Sequence, residues 1–72
     1  MTTAELKNGV LAEGLQFLVN NFKLQTIVPE YNTITHYFEG GLRLVSKGGG
    51  CSGEDFLDTT LYNAEGETIA VW

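Results

Sequence analysis

The stretch from Thr33 to Ser46, Thr-Ile-Thr-His-Tyr-Phe-Glu-Gly-Gly-Leu-Arg-Leu-Val-Ser, restricts the fold of this chain more than any other. Two runs rich in β-branched and aromatic residues flank a Glu-Gly-Gly, which is the pattern of a β-hairpin. Side chains alternate between the faces of a strand, so a slip of one residue exchanges the faces. A two-residue loop, Gly40-Gly41, would place Ile34, His36 and Phe38 with Arg43 and Lys47, and Leu42 and Leu44 with Thr35 and Glu39. Both faces would be mixed. A three-residue loop, Glu39-Gly40-Gly41, instead sets Phe38 opposite Leu42, His36 opposite Leu44 and Ile34 opposite Ser46. One face is then almost wholly apolar, and Thr35, Tyr37, Arg43 and Val45 take the other. Such a loop needs a residue in the left-handed region, which Gly41 supplies without steric cost. The longer loop is the predicted one.

An apolar sheet face must be covered, and the amino-terminal segment has the periodicity to do so. Thr2-Thr3-Ala4-Glu5 reads as a capping box, and apolar residues then recur at helical spacing as far as Phe22. Leu11, Leu15, Leu18 and Phe22 form one stripe, with Leu6, Val10 and Phe17 beside it and Glu5, Glu13, Gln16 and Asn20 opposite. The expectation is a single long amphipathic helix lying flat on the sheet, stopped near Asn20-Asn21. Gly14 falls on the buried stripe, where it would allow close backbone approach; Gly9 falls on the polar side, and the sequence offers no reason for it.

The remaining segments complete an antiparallel sheet. Leu24 to Val28 is a short strand stopped by Pro29, which belongs at an edge or in a turn, and Pro29-Glu30-Tyr31-Asn32 leads into the central hairpin. Ser52-Gly-Glu-Asp55 suggests a cap followed by one helical turn carrying Phe56 and Leu57. Thr59 to Trp72 reads as a second hairpin around Asn63-Ala64-Glu65-Gly66. With Ala64-Glu65-Gly66 as its loop, Leu61 would face Ile69 and Thr59 would face Val71, turning Thr60, Tyr62, Thr68, Ala70 and Trp72 outward. The predicted class is α+β: one long helix on an antiparallel sheet of four to five short strands built from two hairpins, in a single domain spanning residues 1–72.

Composition excludes several functions. One cysteine rules out an internal disulfide, and no cysteine cluster suggests a structural metal. Nine acids against four bases give a formal charge of −5, and no base follows Lys47 whereas Glu54, Asp55, Asp58, Glu65 and Glu67 all do. Direct nucleic-acid binding and attachment to anionic membranes are therefore disfavoured, and a protein partner with a basic surface is the better match. No run is long enough to span a bilayer and no basic-then-apolar leader opens the chain, so a cytoplasmic setting is the expectation.

No constellation reads as an active site. Lys47 precedes the glycines of Lys47-Gly-Gly-Gly-Cys-Ser-Gly53, whereas a phosphate-cradling loop places its lysine after them. Glu54, Asp55 and Asp58 lack the alternating ligands of a calcium loop. His36, the sole histidine, would meet Cys51 and an acid such as Asp55 in a triad only if the glycine stretch folded back over the hairpin. Cys51 sits near Lys47, which favours a thiolate, and beside Glu54 and Asp55, which oppose it.

The segment Gly41-Leu-Arg-Leu-Val-Ser-Lys-Gly-Gly-Gly-Cys-Ser-Gly53 resembles the region around the first cysteine of A-type iron–sulfur carrier proteins. That resemblance implies a cluster or iron ligand at Cys51 and a helix before the segment. The family also carries a Cys-Gly-Cys near its carboxyl terminus, which this chain lacks; a single thiolate holds such a cluster only when subunits share it.

Two readings of function follow. In the first, the chain is a non-enzymatic protein-interaction module without a cofactor, an inhibitor or adaptor whose acidic, aromatic-bearing sheet face docks on a basic partner through Tyr37, Glu54, Asp55, Asp58, Tyr62, Glu65, Glu67 and Trp72. The alternative is a thiol or iron–sulfur accessory protein acting through Cys51, or a self-associating structural subunit forming a homo-oligomer.

Overall fold

The computed structural model describes residues 1–48 and 56–72, and for residues 56 and 57 the backbone alone. Helices α1 (Thr3–Glu13) and α2 (Leu15–Asn21) precede strands β1 (Leu24–Glu30), β2 (Thr33–Phe38), β3 (Arg43–Gly48), β4 (Phe56–Tyr62) and β5 (Thr68–Val71). The five strands form one antiparallel sheet in the order β1-β2-β3-β4-β5, each beside its neighbour in sequence. The α+β class is observed. The single long helix is not.

Helix α1 begins with the capping box: Thr2 Oγ1 accepts from the Glu5 backbone N–H at 3.1 Å, and Glu5 Oε1 accepts from the Thr2 N–H at 3.2 Å. The helix then ends after 11 residues because Gly14 adopts φ 64° and ψ −140°. That region is closed to residues with a Cβ, so glycine permits the break. Gly14 N–H closes α1 by donating to the Val10 carbonyl at 2.7 Å, and the Gly14 carbonyl accepts from Phe17 N–H at 3.1 Å as α2 starts. At the far end Asn21 Nδ2 donates to the Phe17 carbonyl at 2.8 Å, the predicted stop.

The break changes which side chains are covered. Leu6, Val10 and Leu18 are buried, with Phe17 and Phe22 packed beside them, whereas Leu11 and Leu15 of the predicted stripe stay exposed. Gly9 also acquires a reason. A Cβ built there would clash with the ring of Phe17, which folds back from α2 over α1. Its lack of a side chain lets the two helices close on each other.

The central hairpin has the predicted register. Ile34 pairs with Ser46 and His36 with Leu44, and Phe38 N–H donates to the Leu42 carbonyl at 2.9 Å across the Glu39–Gly41 loop. Gly41 takes φ 81°, and a Cβ on it would lie 2.6 Å from that of Ala64, so the two turns at this end of the sheet touch. Strand β1 runs on through Pro29 to Glu30, leaving a shorter turn at Tyr31 and Asn32. Proline is tolerated there because β1 is an edge strand.

Two further expectations are corrected. Phe56 and Leu57 begin strand β4 and are not part of a helical turn. In the last hairpin the turn is as predicted, with Asn63 N–H donating to the Glu67 carbonyl at 3.0 Å and Gly66 at φ 83°. Beyond it, however, Tyr62 pairs with Thr68 while Leu61 pairs with Ala70, so Ile69 is an extra residue in a β-bulge. The bulge displaces the register by one. Thr59 therefore exchanges backbone hydrogen bonds with Trp72 at 2.9 Å, and Ala70 and Trp72 join the helix-bearing face.

The core lies between α1, α2 and the β3–β5 part of the sheet, where Leu6, Val10, Leu18, Phe38, Leu42, Leu44, Leu61, Ile69 and Ala70 form one cluster. Val10, Leu18, Phe38, Leu44 and Leu61 are the most completely buried side chains, each contributing about 1.5–3 kcal/mol relative to an exposed one. Strand β1 lies outside this cluster, and all seven of its residues are exposed. The helices thus cover one end of the sheet's inner face and leave the other uncovered.

Candidate functional site

Strand alternation and pairing determine what the outer face of the sheet presents. One row crosses all five strands as Val28, Thr35, Val45, Thr60 and Val71, each paired with the next. A second row runs Thr26, Tyr37, Arg43, Tyr62, Thr68, and a third runs Glu30, Thr33, Lys47, Asp58. In the second row the Arg43 guanidinium carbon lies 4.7 Å from the centroid of the Tyr62 ring, a cation–π arrangement. Tyr37 stands on the other side of Arg43, and Arg43 Nε is buried without a hydrogen-bond partner among the described residues. Tyr37 and Arg43, with Gly41, Asn63, Ala64, Glu65 and Gly66, line a notch of about 400 Å³ where the two turns meet.

Asn63 gives this notch its shape. Its Oδ1 accepts from the backbone N–H groups of Glu65 at 3.0 Å and Glu67 at 2.9 Å, and its Nδ2 donates to Glu67 Oε1 at 3.2 Å. The adjoining turn carries Glu39, whose Oε1 accepts from Lys23 N–H at 3.2 Å. Glu39, Glu65 and Glu67 are all exposed at this end.

The predicted site residues therefore separate into groups. Tyr37 and Tyr62 are brought together around Arg43, with Glu65 and Glu67 on the turn beside them. Asp58 is exposed and pairs with Lys47 further along the strands. Trp72 lies on the opposite face, moved there by the bulge. Glu54, Asp55 and Cys51, with everything inferred about them, lie outside the described residues. The outer face itself is close to electrically balanced, Glu30 and Asp58 against Arg43 and Lys47; the acidity is concentrated at the turns.

The inner face holds a second candidate that the sequence did not suggest. Where α2 leaves the sheet uncovered, Leu15, Ile27, Ile34, His36, Leu44, Ser46, Thr59 and Trp72 line a groove of about 440 Å³. His36 stacks against Phe38 with centroids 6.5 Å apart and rings inclined by 21°. Its Nδ1 is buried with no hydrogen-bond partner among the described residues, and burial lowers its pKa from the usual 6.5. The imidazole is accordingly neutral at pH 7, one ring nitrogen carrying the proton and the other accepting. No spacing signal announced this groove: Ile69-Ala70-Val71-Trp72 is a continuous apolar run that fits either phase of the strand.

Among the described residues no three His, Cys, Asp or Glu side chains gather as a metal site, and no helix is long and apolar enough to cross a membrane. Compared with known proteins, no family model, curated protein or solved structure matches this chain.

Proposed function

We propose that this protein is a non-enzymatic protein-interaction module that docks through the turn end of its outer sheet face. One observation carries the reading: two tyrosines bracket an arginine on three adjacent strands, on the face opposite the helices. Aromatic residues and arginine are enriched where interfaces hold most of their energy. Beside them runs the β-branched row of Val28, Thr35, Val45, Thr60 and Val71, in which Val28 and Val71 are exposed and Thr35 is buried. Glu39, Glu65 and Glu67 edge it, and the chain carries a net charge of −5, so the favoured partner has an apolar patch with a basic border. Binding there would make the protein an adaptor or an inhibitor.

Photo-crosslinking from the face itself tests this. A benzoylphenylalanine replacing Val45 is expected to capture one heterologous protein in extract of the producing cells, a control at inner-face Ile34 should not, and capture should weaken as salt rises. Substituting Tyr37 and Tyr62 by alanine should abolish capture. Crosslinks only between copies of the chain, or capture unaffected by the two alanines, would overturn the proposal.

A further inference from the structure

The inner groove has a composition that its place in the fold does not require. A gap left by incomplete coverage would be lined by apolar side chains and wetted at its rim. This one has apolar walls, including Leu15 from α2 and Ile27 from the edge strand, and gathers three polar side chains, His36, Ser46 and Thr59, from three adjacent strands. Ser46 is only 8% exposed, and beside it His36 Nδ1 is buried with no hydrogen-bond partner among the described residues, whereas buried polar groups are ordinarily matched. Trp72 forms the far wall, its Nε1 about 4.0 Å from where a Cβ on Gly14 would stand, so the helix break and the chain's last residue close that end together.

We propose that this groove binds a small, uncharged, mainly apolar molecule bearing one hydroxyl or carbonyl group, which pairs with His36 and the neighbouring hydroxyls. The lining excludes other classes. Among the described residues no lysine, arginine, aspartate or glutamate contributes to it, so an anion or a cation would enter without a counter-charge from them and lose its hydration. A neutral imidazole beside two hydroxyls can both donate and accept, and so fits a group with the same capacity. A volume of about 440 Å³ lies in the range that holds small ligands and is too small for a folded partner. This site lies on the opposite side of the sheet from the docking face and is independent of it.

Trp72 is the only tryptophan, so its emission reports directly on the groove. Titration with 1-octanol, octanoate and octylammonium at pH 7.5 separates the ligand classes. A saturable blue shift is expected with 1-octanol at a concentration at least tenfold below that needed with either ion. His36→Phe keeps the apolar wall and removes the hydrogen bond, and should weaken 1-octanol binding about tenfold. Amide chemical-shift changes in the wild-type protein should centre on Ile34, Leu44 and Thr59, which provides a readout independent of whether the variant folds. The double alanine variant of Tyr37 and Tyr62 should bind 1-octanol as wild type does. No saturable shift, equal responses to alcohol and ions, undiminished affinity in His36→Phe, or shifts centred on the outer face would each overturn the proposal.

Discussion

At the scale of single residues, packing decides where propensity would mislead. Gly9 sits inside α1, where alanine would gain roughly 1 kcal/mol of helix propensity. The same position lies under the Phe17 ring, and an added methyl must displace it. Overpacking of this kind costs about 1–3 kcal/mol. Gly9→Ala is therefore expected to lower stability by about 1 kcal/mol in urea unfolding, in spite of its helix preference. In a Phe17→Leu background, which withdraws the ring atoms, the same substitution should become neutral or stabilising. A sign change between the two backgrounds would establish the contact; the same cost in both would refute it. Nothing in the spacing of apolar residues around Gly9 could have revealed this, because the contact joins residues on two different helices.

Between elements, the decisive positions are those where the period changes. Gly14 holds a conformation of φ 64° and ψ −140°, and the nearest side-chain atom to a Cβ there is at 4.0 Å, so conformation and not space forbids other residues. Gly14→Ala should cost about 1–3 kcal/mol, the usual penalty for a strained backbone position. A synthetic chain with D-alanine at that position should recover most of the loss, since D-residues favour positive φ. The central hairpin was legible because its glycine turn and its apolar alternation agree on one register. The helix break and the Ile69 bulge were not. Periodicity over Leu11, Leu15, Leu18 and Phe22 is satisfied equally by one helix or by two re-aimed pieces. An extra residue near the end of a four-residue strand leaves too short a run to show a change of phase. That single unit of phase sent Trp72 to the groove and away from the tyrosine face, so the shared face of Tyr37 and Tyr62 was legible in the sequence and the face of Trp72 was not.

For the molecule as a whole, the sheet divides two chemistries, and the histidine on its inner side makes stability depend on pH. Well above pH 6.5 His36 is neutral whether the chain is folded or not, and contributes no slope. As the pH falls below that value the unfolded chain binds a proton that the folded groove resists, so stability declines until the lowered folded pKa is passed. Glu5 acts with the same sign at lower pH. Its hydrogen bonds with Thr2 lower its pKa from 4.5, so the stability it adds is complete above that value and is lost as the pH drops through the folded pKa. Carboxylate protonation works in the opposite sense by relieving repulsion in a chain of charge −5, but carboxylates in general bind protons about pH 4, below the range of an imidazole. The interval between about pH 7 and 5.5 therefore isolates the histidine. The urea midpoint of the wild-type protein is expected to fall across it, and that of His36→Phe to stay level. A midpoint that rises on acidification, or the same fall in both proteins, would mean that the imidazole meets water in the folded state as freely as in the unfolded one. The groove would then be a wet surface, not a dry binding site.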